Sequence, residues 1–128
     1  MDTFDYDAAV NFLNQKADNK KKSNKRLFLK AAKEASKIIT MLIKEFNVRK
    51  IYQWGSLLNP DKFDENSDID IGIEGLGSVQ EYFNLLEKAE AICSFPLEIL
   101  ELERIDPLHK KSIIDKGQLV YEKKEPAI

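Results

Sequence analysis

At 128 residues the chain has room for one domain with a real hydrophobic core and not for two. Its 43% hydrophobic and 33% charged residues exclude a disordered or fibrous polymer, and no apolar run approaches the roughly 18 residues of a membrane span. A single cysteine, Cys93, excludes an internal disulfide or a multi-cysteine zinc site, and a single histidine, His109, makes zinc hydrolase chemistry or a Ser-His-Asp triad a poor fit.

The N-terminus, Met1-Asp2-Thr3-Phe4-Asp5, lacks a basic segment followed by an apolar one, so no secretory leader is expected and a cytoplasmic location is. The net charge of −2 hides an asymmetry. From Asn14 to Lys50 there are 12 Lys/Arg against 3 Asp/Glu, while the rest of the chain is acidic. Such a split can mark a nucleic-acid or partner surface, but lysines between apolar helical positions are more often a solvated face, and that is the favoured reading.

In chain order, Phe4, Tyr6, Ala9, Val10, Phe12 and Leu13 suggest a short helix, and the polar run Asp18-Asn19-Lys20-Lys21-Lys22 reads as a linker. From Ser23 to Phe46 the apolar residues Leu27, Ala31, Ala35, Ile38, Ile39, Leu42, Ile43 and Phe46 recur every three or four positions, which predicts a helix capped by Ser23 or Asn24. Val48 to Trp54 reads as a strand ended by Gly55-Ser56, and residues 59–61 and 64–67 are turn-rich. Asp68-Ile69-Asp70-Ile71-Gly72-Ile73 alternates strictly, as a half-buried strand does.

After a break at Gly75 to Gly77, a helix starting at Ser78 or Val79 runs to Ile92, and Pro96 to Leu102 is a third strand. Asp106-Pro107 opens a short helix that ends near Gly117, with Asp as cap and Pro at the first position. Leu119 to Tyr121 is a last strand, and Glu122 to Ile128 is expected to fray. No internal repeat is visible. The order helix, strand, strand, helix, strand, helix, strand predicts an α+β fold with a mixed sheet packed on helices. Tyr52 and Phe83 are assigned to the core, as is Trp54 in preference to a base-stacking role. His109 is expected to be exposed, and Cys93 a small apolar filler.

The chemistry lies between Val48 and Ile73. A glycine at a strand end lets a phosphate approach the backbone, and Ser56 could cap the following turn so that N–H groups point outward. In a strand, Asp68 and Asp70 project from one face roughly 7 Å apart, with Ile69, Ile71 and Ile73 on the other. Two repelling carboxylates on a rigid strand suit a divalent cation, and Mg²⁺ prefers a few carboxylates plus substrate phosphates to a full protein cage. Two such ions about 3.5–4 Å apart can align the attacking and leaving oxygens of phosphoryl transfer. An Asp-x-Asp on its own is more often a charged edge that deters aggregation.

Gly55-Ser56, eleven residues, then Asp68-Ile69-Asp70 together resemble the signature of the minimal nucleotidyltransferases of the DNA polymerase β superfamily. The resemblance implies that Gly55 and Ser56 grip a nucleoside triphosphate and that Asp68 and Asp70 bind the metals. A third carboxylate is implied in Phe95-Pro96-Leu97-Glu98-Ile99-Leu100-Glu101-Leu102, where Glu98 takes the place and Glu101, three residues on, is the rival on the opposite face. The likeness covers roughly residues 35 to 122, including Ile105-Asp106-Pro107-Leu108 and Gly117 to Tyr121. It implies a polymerase β-like nucleotidyltransferase fold over 23–122, flanked by an extension at 1–22 and a tail at 123–128.

Three features depart from the pattern. The spacer is one residue longer than the commonest form, which a loop tolerates. Leu57 stands where many members carry a basic residue. Glu98 replaces the usual aspartate, and an added methylene moves the oxygens by about 1 Å, a misplacement that can cost on the order of 100-fold in rate.

The implied reaction transfers AMP from ATP, or another nucleoside monophosphate from its triphosphate, to a hydroxyl, with two Mg²⁺ (or Mn²⁺) ions held by Asp68, Asp70 and Glu98. Small members are often encoded with a helical HEPN-type protein in toxin–antitoxin pairs, where the nucleotidyltransferase is the antitoxin and can transfer AMP to a tyrosine of its partner. The alternatives are a small-molecule acceptor of the aminoglycoside or lincosamide kind, and a catalytically silent module that only covers its partner. A nucleic-acid partner is not favoured and a membrane is not expected.

Overall fold

The computed structural model describes residues 5–124. Its first element, α1 (Tyr6–Glu45), is one continuous helix of 40 residues, roughly 60 Å long at the ordinary rise. This corrects the expected linker at Asp18–Lys22 and the cap at Ser23 or Asn24. That stretch holds no Gly or Pro, and lysine is a good helix former, so nothing interrupts the hydrogen-bond ladder. The cap is Asp5, whose carboxylate accepts from the Ala8 N–H at 3.0 Å. Phe4 lies outside the described residues.

Only the C-terminal half of α1 is buried. Ala31, Ala35, Ile38 and Leu42, spaced by four, three and four, are fully inaccessible. They lie on a four-stranded sheet ordered β3-β2-β1-β4. The strands are β1 (Lys50–Trp54), β2 (Ile69–Glu74), β3 (Leu97–Glu101) and β4 (Gln118–Glu122). β1 is antiparallel to both β2 and β4, and β2 runs parallel to β3. A parallel pair needs a long crossover, which α2 (Val79–Ala91) supplies, capped by Ser78. The Tyr82 hydroxyl donates to the Ile99 carbonyl at 2.8 Å and ties α2 to β3. Burial, with Glu101, Glu98 and Glu90 nearby, raises the Tyr82 pKa and keeps this donor protonated.

The sheet is covered on both sides. On one side Ile51, Ile69, Ile71, Ile73 and Ile99 form the main core with α1 and α2. On the other, α3 (Pro107–Lys116) places Ile113 against Tyr52 and Leu102. Burying each isoleucine contributes about 1.5–3 kcal/mol, so the main face supplies most of the apolar stabilisation. Gly72 belongs to the α3 side, where a methyl group would come within 3.0 Å of Leu102 Cδ2. Strand β2 is therefore buried along its whole length, although its sequence alternates as a half-exposed strand would.

Among the aromatic assignments, Tyr52 is core at 7% exposure, whereas Phe83 on α2 is 57% exposed, with its ring edge-on to that of Tyr82. Its position faces away from the sheet, a distinction that helical periodicity with neighbouring aromatics blurs. The expected fraying of Glu122 to Ile128 needs correction at its start, since Glu122 pairs with Lys50 and the Lys123 N–H donates to the Arg49 carbonyl at 2.8 Å; residues 125–128 lie outside the described residues. Cys93 is partly buried, its thiol donating to the Phe95 carbonyl at 3.3 Å, and burial raises its pKa.

Candidate active site

Sheet register builds the site. β1 delivers Trp54 opposite Asp70, and β3 delivers Glu98 opposite Asp70 from the other side. Asp68 lies immediately before β2, two residues from Asp70 and on the same face by strand alternation. The structure thus brings Asp68, Asp70 and Glu98 together on the α3 side of the sheet, away from α1 and α2. Glu101 is in register with Ile73, on the core side, and its carboxylate is 3.2 Å from Arg104 Nε.

Asp70 is 9% exposed. Burial, the charge of Asp68, the charge of Glu98 and a hydrogen bond with Glu98 raise its pKa to about 6 from an ordinary 3.8. These causes share one origin: a carboxylate held in a partly dry place among other carboxylates. Glu98 itself is exposed and Asp68 half-buried, so the cluster opens to solvent on one side.

The Gly-Ser pair closes the other side. Trp54 leads into a 3-10 helix, Gly55–Leu58, followed by a second, Pro60–Lys62. Gly55 has φ +78°, and a Cβ there would collide with Asp70 Oδ2 and stand 3.2 Å from its Cγ. Both facts demand glycine: the backbone is left-handed and the carboxylate occupies the space. Ser56 does not cap this turn. It lies inside the 3-10 helix, where its carbonyl accepts from the Asn59 N–H at 3.0 Å. Leu57 is 7% exposed and packed in the main core, so its side chain faces away from the site.

A pair not foreseen as part of the site borders it. Trp54 meets His109 of α3 edge-to-face with ring centroids 5.5 Å apart. The Trp54 indole N–H is buried without a hydrogen-bond partner. His109 is exposed, as expected, but it is tied to the residue opposite Asp70. Only the alternation of Tyr52 and Trp54 along β1 could have signalled that the indole shares a face with Asp70; nothing local points to His109.

Among the described residues, no group of three or more His, Cys, Asp or Glu side chains is already arranged to hold a metal ion. The donor chemistry still fits Mg²⁺, which takes one or two carboxylates and completes its shell with waters and substrate phosphates. Asp70, crowded by like charge, is the group a cation would relieve most. Also among the described residues, no helix is long and apolar enough to cross a membrane.

A mixed sheet that sets paired carboxylates against a glycine turn, with helices on both faces, defines a nucleotidyltransferase-type domain. The family model described as polymerase beta, nucleotidyltransferase matches residues 36–126, and the chain belongs to that family. Among curated proteins, none matches. Solved structures share the fold. A chain of a toxin–antitoxin complex with AMP-PNP aligns at TM-score 0.59 and 19% identity, covering 70% of this chain and 74% of that one. Another comes from a tri-AMPylated Shewanella oneidensis HEPN toxin in complex with MNT antitoxin, at TM-score 0.56 and 18% identity, with 73% of each chain covered. A third, from the toxin–antitoxin MntA-HepT, aligns at TM-score 0.54 and 18% identity over 70% of this chain and 71% of that one. At these identities the likeness is one of fold.

Proposed function

We propose that this protein is a Mg²⁺-dependent nucleotidyltransferase that moves AMP from ATP to a hydroxyl of a HEPN-type partner protein, acting as the antitoxin of the pair. The observation that carries the reading is the register of Asp70 with Glu98, beside Asp68 and against a glycine with a positive φ where any side chain would be strained and would press on Asp70. Fold neighbours that are toxin–antitoxin complexes, one with AMP-PNP and one with an AMPylated HEPN toxin, support the donor and the partner class.

Asp68, Asp70 and Glu98 would hold the metal. Bound there, Mg²⁺ neutralises phosphate charge and lowers the pKa of an acceptor hydroxyl. Asp70 must give up its proton to serve, and its pKa near 6 leaves it largely ionised at neutral pH. Gly55 and Ser56 would grip the triphosphate next to Asp70, with the Trp54–His109 pair bordering the site. The acceptor oxygen bonds to the α-phosphorus as the bond to the bridging oxygen breaks; pyrophosphate leaves and the hydroxyl proton goes to solvent. The chain's work is positioning and charge balance, so no Cys or His nucleophile is needed.

The reading is tested by mass spectrometry of a co-expressed HEPN partner incubated with ATP and Mg²⁺. A mass increase of one AMP on the partner, absent with Asp68→Asn, is the expected result. A partner bound but never modified would overturn transfer and favour the silent partner-binding module, which Leu57 supports because its buried side chain cannot make the contact a basic residue would. Modification of an added aminoglycoside or lincosamide instead would move the acceptor to small molecules.

A further inference from the structure

The basic residues of α1 gather on one side. At about 100° per residue, Lys22, Arg26, Lys30, Lys33, Lys37 and Lys44 form one stripe, facing away from Ala31, Ala35, Ile38 and Leu42. The stripe is roughly 33 Å long, and all six residues are exposed. From Lys20 to Lys37 the sequence carries eight Lys/Arg and one acid, Glu34. Glu34 is already engaged, accepting from the Ser94 N–H at 3.0 Å and from its hydroxyl at 2.9 Å. Among the described residues the ion pairs are Arg49 and Lys110 with Glu74, Lys88 with Glu45 and Arg104 with Glu101. None uses a cation of the stripe. Lys30 alone has a contact of another kind, with its ammonium 5.9 Å from the centre of the Phe95 ring.

We infer that this stripe is a nucleic-acid-binding surface that grips the phosphate backbone without reading sequence. Two features favour a polyphosphate over an acidic protein. Protein interfaces are centred on aromatic, Met and Arg anchors and are depleted in Lys, whereas five of these six residues are lysines. Lysine as a mobile point charge suits phosphates, whose neutralisation releases counterions. The stripe carries no aromatic for base stacking, so binding runs through the backbone.

Tertiary structure removes the obvious objection, the chain's net negative charge. The carboxylates Asp68, Asp70 and Glu98 lie on the α3 side of the sheet, and α1 covers the opposite side. A polyanion on the stripe is therefore screened from them by the sheet and core. The bound nucleic acid is a tether on the back of the domain and not the acceptor at the carboxylates. Four of the six residues, Lys22, Arg26, Lys30 and Lys33, precede the family-matched region, while Lys37 and Lys44 fall within it. Between Lys22 and Lys44 the one acid, Glu34, is engaged by Ser94, which favours this reading over an ordinary solvated face.

Fluorescence anisotropy of labelled RNA and DNA duplexes titrated with the full chain tests this directly. The dissociation constant should rise on the order of 100-fold between about 50 and 200 mM salt if about four phosphates are neutralised. Arg26→Glu/Lys33→Glu/Lys37→Glu should abolish binding, while Lys123→Glu/Lys124→Glu should leave it unchanged. Should the triple reversal fail to fold, Lys33→Gln/Lys37→Gln carries the test, lowering the salt slope by about one for each lysine removed. Saturating ATP should not compete. No binding at low salt, or binding indifferent to the reversals, overturns the inference. Equal affinity and salt slope for polyglutamate overturn it in favour of an acidic protein partner.

Discussion

Two carboxylates on the same face of β2 are buried to nearly the same degree, Asp70 at 9% and Glu74 at 8% exposure. Glu74 has cations beside it, with Arg49 Nη2 at 3.9 Å and Lys110 Nζ at 3.5 Å. Among the described residues the charges acting on Asp70 are acids, Asp68 and Glu98, and with its burial they raise its pKa. One end of the strand is a compensated structural charge. The other is a buried charge left uncompensated, the arrangement expected where a substrate or ion supplies the missing counter-charge. Burial alone does not separate the two; the sign of the neighbours does.

The sharpest way to break this comparison is to remove a charge at the uncompensated end. Asp68→Asn should lower nucleotidyl transfer by at least about 1,000-fold, equivalent to roughly 4 kcal/mol of barrier, without lowering the melting temperature. Mass spectrometry of the partner and a thermal melt read the two effects separately. Next comes the apolar face of the same strand. Ile71→Ala should cost about 2–5 kcal/mol of stability by cavity formation, measured by denaturant unfolding, while ATP binding to the remaining folded fraction is kept.

The third effect depends on pH. Because the folded pKa of Asp70 lies above its ordinary value, the folded state binds that proton more tightly than the unfolded chain. Its contribution is fully present below pH 3.8 and is lost as pH rises to about 6. After allowance for solvent screening the loss is about 1–2 kcal/mol, and Asp70→Asn should flatten it in melts recorded from pH 4 to pH 7.5. An unchanged pH profile would mean that Asp70 is not strained by its neighbours. The smallest effect is at the compensated end: Glu74→Gln should destabilise by about 1 kcal/mol or less, opposite in sign to Asp70→Asn at neutral pH.

Much of the molecule was legible in its sequence because its elements are strongly punctuated. Asp106-Pro107 and Gly117 bracket α3, Ser78 caps α2, and the alternation of Ile69, Ile71 and Ile73 set the inner face of β2. The reading failed where punctuation was missing. The lysine run at residues 20–22 looked like a linker because polar runs correlate with loops, yet it has no residue that stops a helix. Phe83 failed differently: side-chain type gives no information on which flank of an amphipathic helix meets the sheet.

The candidate site divides in the same way. Asp68 and Asp70 sit two apart in one strand, so chain geometry alone puts them on one face. That Glu98 and not Glu101 lies beside them depends on the register between β2 and β3, a long-range pairing that no local pattern specifies. The meeting of Gly55 with Asp70, and of Trp54 with His109, likewise arises only when distant segments are folded together. Local periodicity and capping determined the elements and the faces they present. Tertiary packing decided which faces share a side, and so which charges were left without a counter-charge.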